Sequence, residues 1–278
     1  MLPAQLRTVL AQQPLGLVFD IDGTLSPIAP TPDAATLYPG VADLLVRAQT
    51  RAQVAIMTGR AVDDGAAMVN VEGLTYIGTH GLEWSAGLPE THEVQLEPTA
   101  LPYVEAGKQL LDLAEQHFGN GEGADGREGM VGARGIIVQR KRVGGSLHYR
   151  LAANPEQARQ QIFALLEEPA RRLHMRLGEG KSVVEVLAPL AINKGYALRR
   201  YVEMYKLRGI VFAGDDRTDL DAVMEIVRLR QEGYGAFSIV VRHHDTLPEL
   251  LAHADYIVDE VEGMAHLLAE MVEIVTTP

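Results

Sequence analysis

Short apolar runs along the chain are closed, one after another, by polar or glycine-rich turns. Leu15–Phe19 precedes DIDGT, Gln53–Met57 precedes TGR, and residues 209–213 precede GDDRTD. Between the first two runs, Val41, Leu44, Leu45 and Ala48 recur at helical spacing, which predicts a helix over 40–50. Two further strands are predicted at 74–77, before Gly78-Thr79-His80-Gly81, and at 237–241, before Arg242-His243-His244. Strands that alternate with helices predict an α/β fold with parallel βαβ units, whose ligand sites lie at the carboxyl ends of the strands. The polar clusters all fall there.

The middle of the chain has another rhythm. A helix is predicted at 101–118, then a glycine- and charge-rich loop at 119–132. Runs 134–142 and 146–152 read as a hairpin turning at Val143-Gly144-Gly145. A helix over 155–174 opens with Pro155 after Asn154, and strands at 175–177 and 182–187 flank Gly178-Glu179-Gly180-Lys181. This is an antiparallel α+β unit inserted into the α/β core. The expected core is therefore discontinuous, 1–98 with 190–278, and the inserted unit covers 99–189, with hinges at 98–102 and 189–193.

Composition narrows the partners. The 278 residues are 47% apolar, ample for a packed core, and carry a net charge of −12. Nucleic acid and anionic membrane both need basic surface, so neither is expected. There is no cysteine, which excludes disulfides, thiolate metal sites and a cysteine nucleophile. The N-terminal stretch MLPAQLRTVLAQQPLG lacks the basic start and long apolar segment of a signal peptide, and no apolar run approaches the roughly 18 residues of a membrane span. A cytoplasmic monomer is the expectation.

The chemistry begins with Asp20 and Asp22, which project together from the end of a buried strand because residues two apart share a face. Like charges so close need a divalent metal, a shared proton or screening water. Alone, such a pair is an ordinary acidic loop, GDDRTD an acidic turn that caps a helix, Thr58 a cap and Lys194 a solvated charge. Their order decides: Asp20, Asp22, Thr58, Lys194, Asp215, Asp216 and Asp219 all follow core strands or start helices. Converging acids with one lysine call for a cation, and hard oxygen ligands suit Mg²⁺. A phosphate is then held by Thr58, Lys194 and the amides of Gly23 and Gly59. Asp20 is placed to attack phosphorus, and Asp22 to protonate the leaving oxygen and later deprotonate water.

FDIDGTL, IMTGR, NKG and AGDDRTDLDA resemble the four motifs of the haloacid dehalogenase superfamily. LSPIAPTPDAA, THGLE, LHYR, Gly180-Lys181 through Glu185, and GDDRTDLDA resemble the trehalose-6-phosphate phosphatases. The resemblance implies a Rossmann-like parallel-sheet hydrolase core with an inserted α/β cap, and hydrolysis of trehalose 6-phosphate through an aspartyl-phosphate. It assigns Asp20 as nucleophile, Asp22 as acid/base, and Thr58 and Lys194 as stabilisers of phosphate and intermediate. The metal falls to Asp20, the carbonyl of Asp22 and Asp215, supported by Asp216 or Asp219. Lys141, His148, Arg150, Lys181 and Glu185 are implied to bind the sugar, with His80 and Glu83 within reach. The chain departs from the family after Glu185, where Val186-Leu187-Ala188-Pro189 stands in place of an Arg-Pro pair.

Physics gives the hairpin a parallel reading. Arg140, Lys141, Arg142, His148 and Arg150 concentrate positive charge in an acidic chain, and strand alternation separates Lys141 from Arg140 and Arg142. The other reading is a charge-protected edge strand. Glu83 and Glu185 suit vicinal diols or are ordinary surface acids. Trp84 is expected to pack, and His243 and His244 to lie in a solvated loop. Other sugar phosphates, such as glucosyl- or mannosyl-3-phosphoglycerate and sucrose 6-phosphate, are alternative substrates. A non-catalytic module is disfavoured because Asp20, Asp22, Lys194 and Asp215 are all present.

Overall fold

The computed structural model describes residues 2–29, 31, 34–119, 135–180 and 182–277. The chain forms two compact units, Met1–Gln95 with Ile192–Pro278, and Leu96–Ala191. The first break thus falls three residues before the expected one, and 98–102 belongs to a 3-10 helix, Pro98–Tyr103.

In the first unit the strands are β1 Leu15–Phe19, β2 Gln53–Met57, β3 Thr75–Gly78, β4 Glu83–Ser85 and, at its edge, β5 Gln95–Leu96. The helices among them are α1 Ala4–Leu10, α2 Val41–Ala48 and α3 Val62–Val69. After the second unit come α6 Lys194–Met204, β10 Gly209–Gly214, α7 Leu220–Gln231, β11 Gly235–Arg242, α8 Pro248–His253, β12 Tyr256–Asp259 and α9 Glu260–Thr276. The sheet order is β12-β11-β10-β1-β2-β3-β4-β5. From β12 to β3 every pairing is parallel, and β4 returns antiparallel to β3.

Strand alternation serves two cores. Leu15, Leu17, Phe19, Val54, Ile56, Val211, Ala213, Phe237 and Ile239 face the layer built by α1, α2, α3 and α9. Val18, Ala55, Met57, Ile210, Phe212, Ala236 and Val240 face α6, α7 and α8. A strand apolar on both faces is what a parallel sheet covered by helices requires. With both faces covered, only the strand ends are open to ligands.

The second unit contains α4 Val104–Phe118, β6 Ile137–Arg140, β7 Gly145–His148, α5 Pro155–Arg172, β8 Arg176–Gly180 and β9 Val183–Leu187. Its sheet runs β6-β7-β9-β8, antiparallel throughout. Leu147, Val184 and Val186 bury one face against Leu110, Leu111 and Ala114 of α4 and Ile162 and Leu166 of α5. Asn154 caps α5 by accepting the N–H of Gln157 at 3.0 Å, and Pro155 takes the first helical position. Two expectations shift here. Gly178–Gly180 is strand rather than turn, held by cross-strand register with Val183–Glu185 and by the ion pair of Arg159 with Glu179. β6 ends at Arg140, so Lys141 lies in the turn, where its N–H reaches the carbonyl of Gly144 at 3.0 Å. Among the described residues no helix is long and apolar enough to cross a membrane.

Candidate active site

The register pairs Phe19 with both Ala213 and Ile56, which brings the ends of β1, β10 and β2 level. Asp20, one residue beyond β1, still donates its N–H to the Ala213 carbonyl at 2.9 Å, so the sheet anchors its side chain. The loop that follows is tight: Leu25 and Ser26 donate to the Ile21 carbonyl at 2.8 and 2.9 Å, and Gly23 donates to Ser26 at 2.8 Å. Gly23 has φ +81, and a Cβ there would lie 2.1 Å from Oδ2 of Asp215. Only glycine both adopts that conformation readily and lets the loop press against Asp215.

Lys194 opens α6, whose start is fixed by Asn193 accepting the N–H of Tyr196 at 2.9 Å. Its side chain is 2% exposed, and Nζ donates to Oδ1 of Asp20 at 2.8 Å and Oδ1 of Asp219 at 2.6 Å. The other oxygen of Asp219 accepts the N–H groups of Asp215 and Asp216 at 3.1 and 3.0 Å. Asp219 therefore spends both oxygens holding the turn after β10 and the lysine. Asp216 is exposed at that turn. Thr24 donates to Oδ1 of Asp215 at 3.4 Å.

Asp20, Asp215 and Asp219 are all buried, and each offers an oxygen within 4.8 Å of the others. Burial pushes the Asp20 carboxyl up to about 7, with Lys194 pulling against it and Asp219 and Asp22 pushing with it. Burial likewise drives Asp215 well above the usual carboxylate range, helped by Asp20, Asp219 and Asp216. Burial also opposes the charge on Lys194, but Asp20 and Asp219 outweigh it and hold the ammonium above the ordinary lysine range. One lysine against three buried carboxylates leaves negative charge in excess. An all-oxygen donor set with excess negative charge fits Mg²⁺.

Asp22 stands apart from this cluster. Both its oxygens accept from Arg60, Nε to Oδ2 and Nη2 to Oδ1, each at 2.7 Å. This planar fork fixes the carboxylate at two points. Arg60 is held in turn by Thr58, whose Oγ1 accepts the Arg60 N–H at 3.1 Å. Gly59 lies against the imidazole of His80, where a Cβ would come within 2.6 Å of the ring. Glu83 occupies a structural position: it is 0% exposed, and it accepts the N–H of Val62 at 2.9 Å and the Thr79 hydroxyl at 2.8 Å. Its expected reach toward a sugar gives way to tying the start of α3 to the turn after β3. Trp84 is buried in the core and donates to the Gly81 carbonyl at 2.8 Å, with Arg200 stacked on its ring.

In the second unit, Gln139, Ser146, Glu185 and Gly178 form one row across the sheet, on the face opposite the helices. Nζ of Lys141 lies 3.4 Å from Oε1 of Glu185, and Nε2 of His148 lies 3.1 Å from Oε1 of Gln139. Arg150 is exposed. Arg140 instead bonds Asp112 and Glu115 of α4. Lys181 lies outside the described residues.

Sequence reasoning assigned no role to Arg60 or His243. Arg60 was visible in TGR, but its fork on Asp22 depends on the level ends of β1 and β2. His243, expected in a solvated loop, has a side chain only 9% exposed, and Nε2 lies 2.7 Å from the Gly23 carbonyl. Nothing local in Arg242-His243-His244 announces that contact.

Residues 18–119 and 127–261 match the family model described as trehalose-phosphatase. The chain is 31% identical over 242 residues to proteins named trehalose-phosphate phosphatase from Mycobacterium tuberculosis and Mycobacterium bovis, covering 85% of this chain and 56% of theirs. It thus spans about half the length of these curated relatives. Among solved structures it resembles the C-terminal domain of trehalose-6-phosphate phosphatase from C. albicans, with TM-score 0.72 and 18% identity over 98% of this chain and 96% of that one. A haloacid dehalogenase-like hydrolase from Bacteroides thetaiotaomicron matches with TM-score 0.62 at 15% identity, over 92% of this chain and 99% of that one. These two likenesses establish the fold. With its family model covering most of the residues, the chain belongs to the trehalose-phosphatase family.

Proposed function

We propose that this chain is a Mg²⁺-dependent phosphomonoester hydrolase that converts trehalose 6-phosphate to trehalose and phosphate, with Asp20 as nucleophile. The observation that carries the reading is the buried contact of Asp20 with Lys194 inside the Asp215 and Asp219 cluster. Asp20, Asp215 and the main-chain carbonyl of Asp22 are the proposed metal ligands, and Asp219 supports them through Lys194. When bound, the cation supplies positive charge to the phosphoryl oxygens and allows the carboxylates to ionise together.

Lys194 bonds Oδ1 of Asp20 and leaves Oδ2 for attack on phosphorus. As the new P–O bond forms, the bond to the sugar oxygen breaks, and its electron pair stays on that oxygen. Asp22 supplies the proton. In the second half Asp22 takes a proton from water, whose oxygen attacks phosphorus and expels the Asp20 carboxylate. The Arg60 fork fixes the Asp22 carboxyl in place for both transfers. Thr58, with the amide of Gly59, receives the phosphoryl oxygens; the Gly23 amide, expected to join them, is instead bonded to the Ser26 carbonyl at 2.8 Å. Lys141, His148, Arg150, Lys181 and Glu185 recognise the disaccharide.

Asp20→Asn tests the chemistry, since the amide keeps the shape and loses the nucleophile. Phosphate release is expected to fall at least ~10⁴-fold with the circular dichroism spectrum unchanged. Acid quenching of the wild type during turnover should trap phosphate on the Asp20 peptide. Wild-type turnover in the variant, or label on another peptide, would refute the role of Asp20.

A further inference from the structure

One side chain lies between the DGT loop and Asp215 of the proposed cation site without belonging to the reaction just described. β11 and β12 end side by side, with Arg242 opposite Asp259 in register and bonded to it at 2.7 Å. The next residue of each strand is His243 and Glu260. Nδ1 of His243 lies 2.8 Å from Oε2 of Glu260. Nε2 faces the Gly23 carbonyl at 2.7 Å, and because a carbonyl only accepts, Nε2 donates. The same Nε2 is 3.8 Å from Oδ2 of Asp215, the oxygen against which Gly23 rests. Glu260 meets the ring from a left-handed backbone, φ +58, a conformation a glutamate seldom adopts.

We propose that His243, oriented by Glu260, is a positioning residue that holds the DGT loop against Asp215 and thereby sets the geometry of the cation site. β1 and β10 bring Asp20 and Asp215 level, while the loop after Asp22 is held by short internal bonds, by the long bond of Thr24 to Asp215 at 3.4 Å and, at its end, by Thr36 and Tyr38. The imidazole adds a bond to that loop from the end of β11. This inference rests on the cation reading above.

The test is Mn²⁺ binding to the full chain, freed of metal by chelation, followed by electron paramagnetic resonance without substrate. His243→Ala should weaken Mn²⁺ by ~10-fold or more, the usual effect of removing a group that orients a metal ligand. His243→Gln, whose amide N–H still reaches the Gly23 carbonyl, should recover most of that loss. Glu260→Gln should weaken binding less than His243→Ala, and it decides the matter if His243→Ala does not fold. Unfolding midpoints of the metal-free proteins should be unchanged. Wild-type affinity in both His243→Ala and Glu260→Gln would overturn the proposal. So would a loss in His243→Ala that tracks a lowered midpoint and is not recovered by glutamine. A wild-type chain that binds no Mn²⁺ would overturn the cation reading, and this inference with it.

Discussion

At the scale of single residues the site is a problem of charge in a dry place. Burial pushes the Asp20 carboxyl from an ordinary 3.8 up to about 7, because it outweighs the pull of Lys194. A carboxyl raised in this way contributes stability that is fully present below its unfolded value and is lost as pH climbs through its folded value. Metal-free wild type should therefore lose stability relative to Asp20→Asn as pH rises from about 4 to about 7, since the variant lacks the titrating group. Chemical denaturation in chelator at several pH values reads this difference. A gap between the two proteins that stays constant across the window would contradict the description of Asp20 as a buried, cation-deprived acid. The residue types were legible from the sequence, because acids at strand ends are an unusual expense. What was not legible is how each oxygen is spent. Asp219 and Asp215 look alike in GDDRTD, yet one is consumed by Lys194 and two N–H groups and the other is left facing Asp20.

At the scale of elements the apolar runs predicted β1 and β2 to the residue, because a buried parallel strand is apolar on both faces and ends abruptly. The hairpins of the second unit were less legible. Gly178 and Gly180 read as turn residues, but Glu179 between them is claimed by Arg159 of α5, an interaction between distant positions that composition does not reveal. Glu83 is a similar case. As a lone acid after THGL it suited sugar recognition, whereas its carboxylate joins the first N–H of α3 to Thr79. Glu83→Ala leaves both donors buried without this acceptor and should cost about 2–4 kcal/mol in urea denaturation. A variant with wild-type stability and a raised KM for a sugar phosphate would return Glu83 to a substrate role.

At the scale of the whole molecule, the chain forms two compact units, and Leu96–Ala191 interrupts the other in sequence. Division of labour between them is the corresponding functional claim: chemistry in the first unit, sugar recognition in the second. Lys141→Ala and Glu185→Ala should each raise KM for trehalose 6-phosphate by ~10-fold or more, the scale of a hydrogen bond to a charged group, while hydrolysis of a small aryl phosphate is unaffected. Equal losses on both substrates would make the two residues structural supports. The substitution of Val186 for the arginine expected after Glu185 makes the identity of the sugar the point on which the account turns. The most direct measurement is kcat/KM for phosphate release with Mg²⁺ from trehalose 6-phosphate, glucose 6-phosphate, sucrose 6-phosphate, glucosyl-3-phosphoglycerate and an aryl phosphate. The account predicts a preference for trehalose 6-phosphate of at least ~100-fold, the discrimination a site of paired polar groups provides. Even activity across the series, or a preference for another sugar, would contradict it.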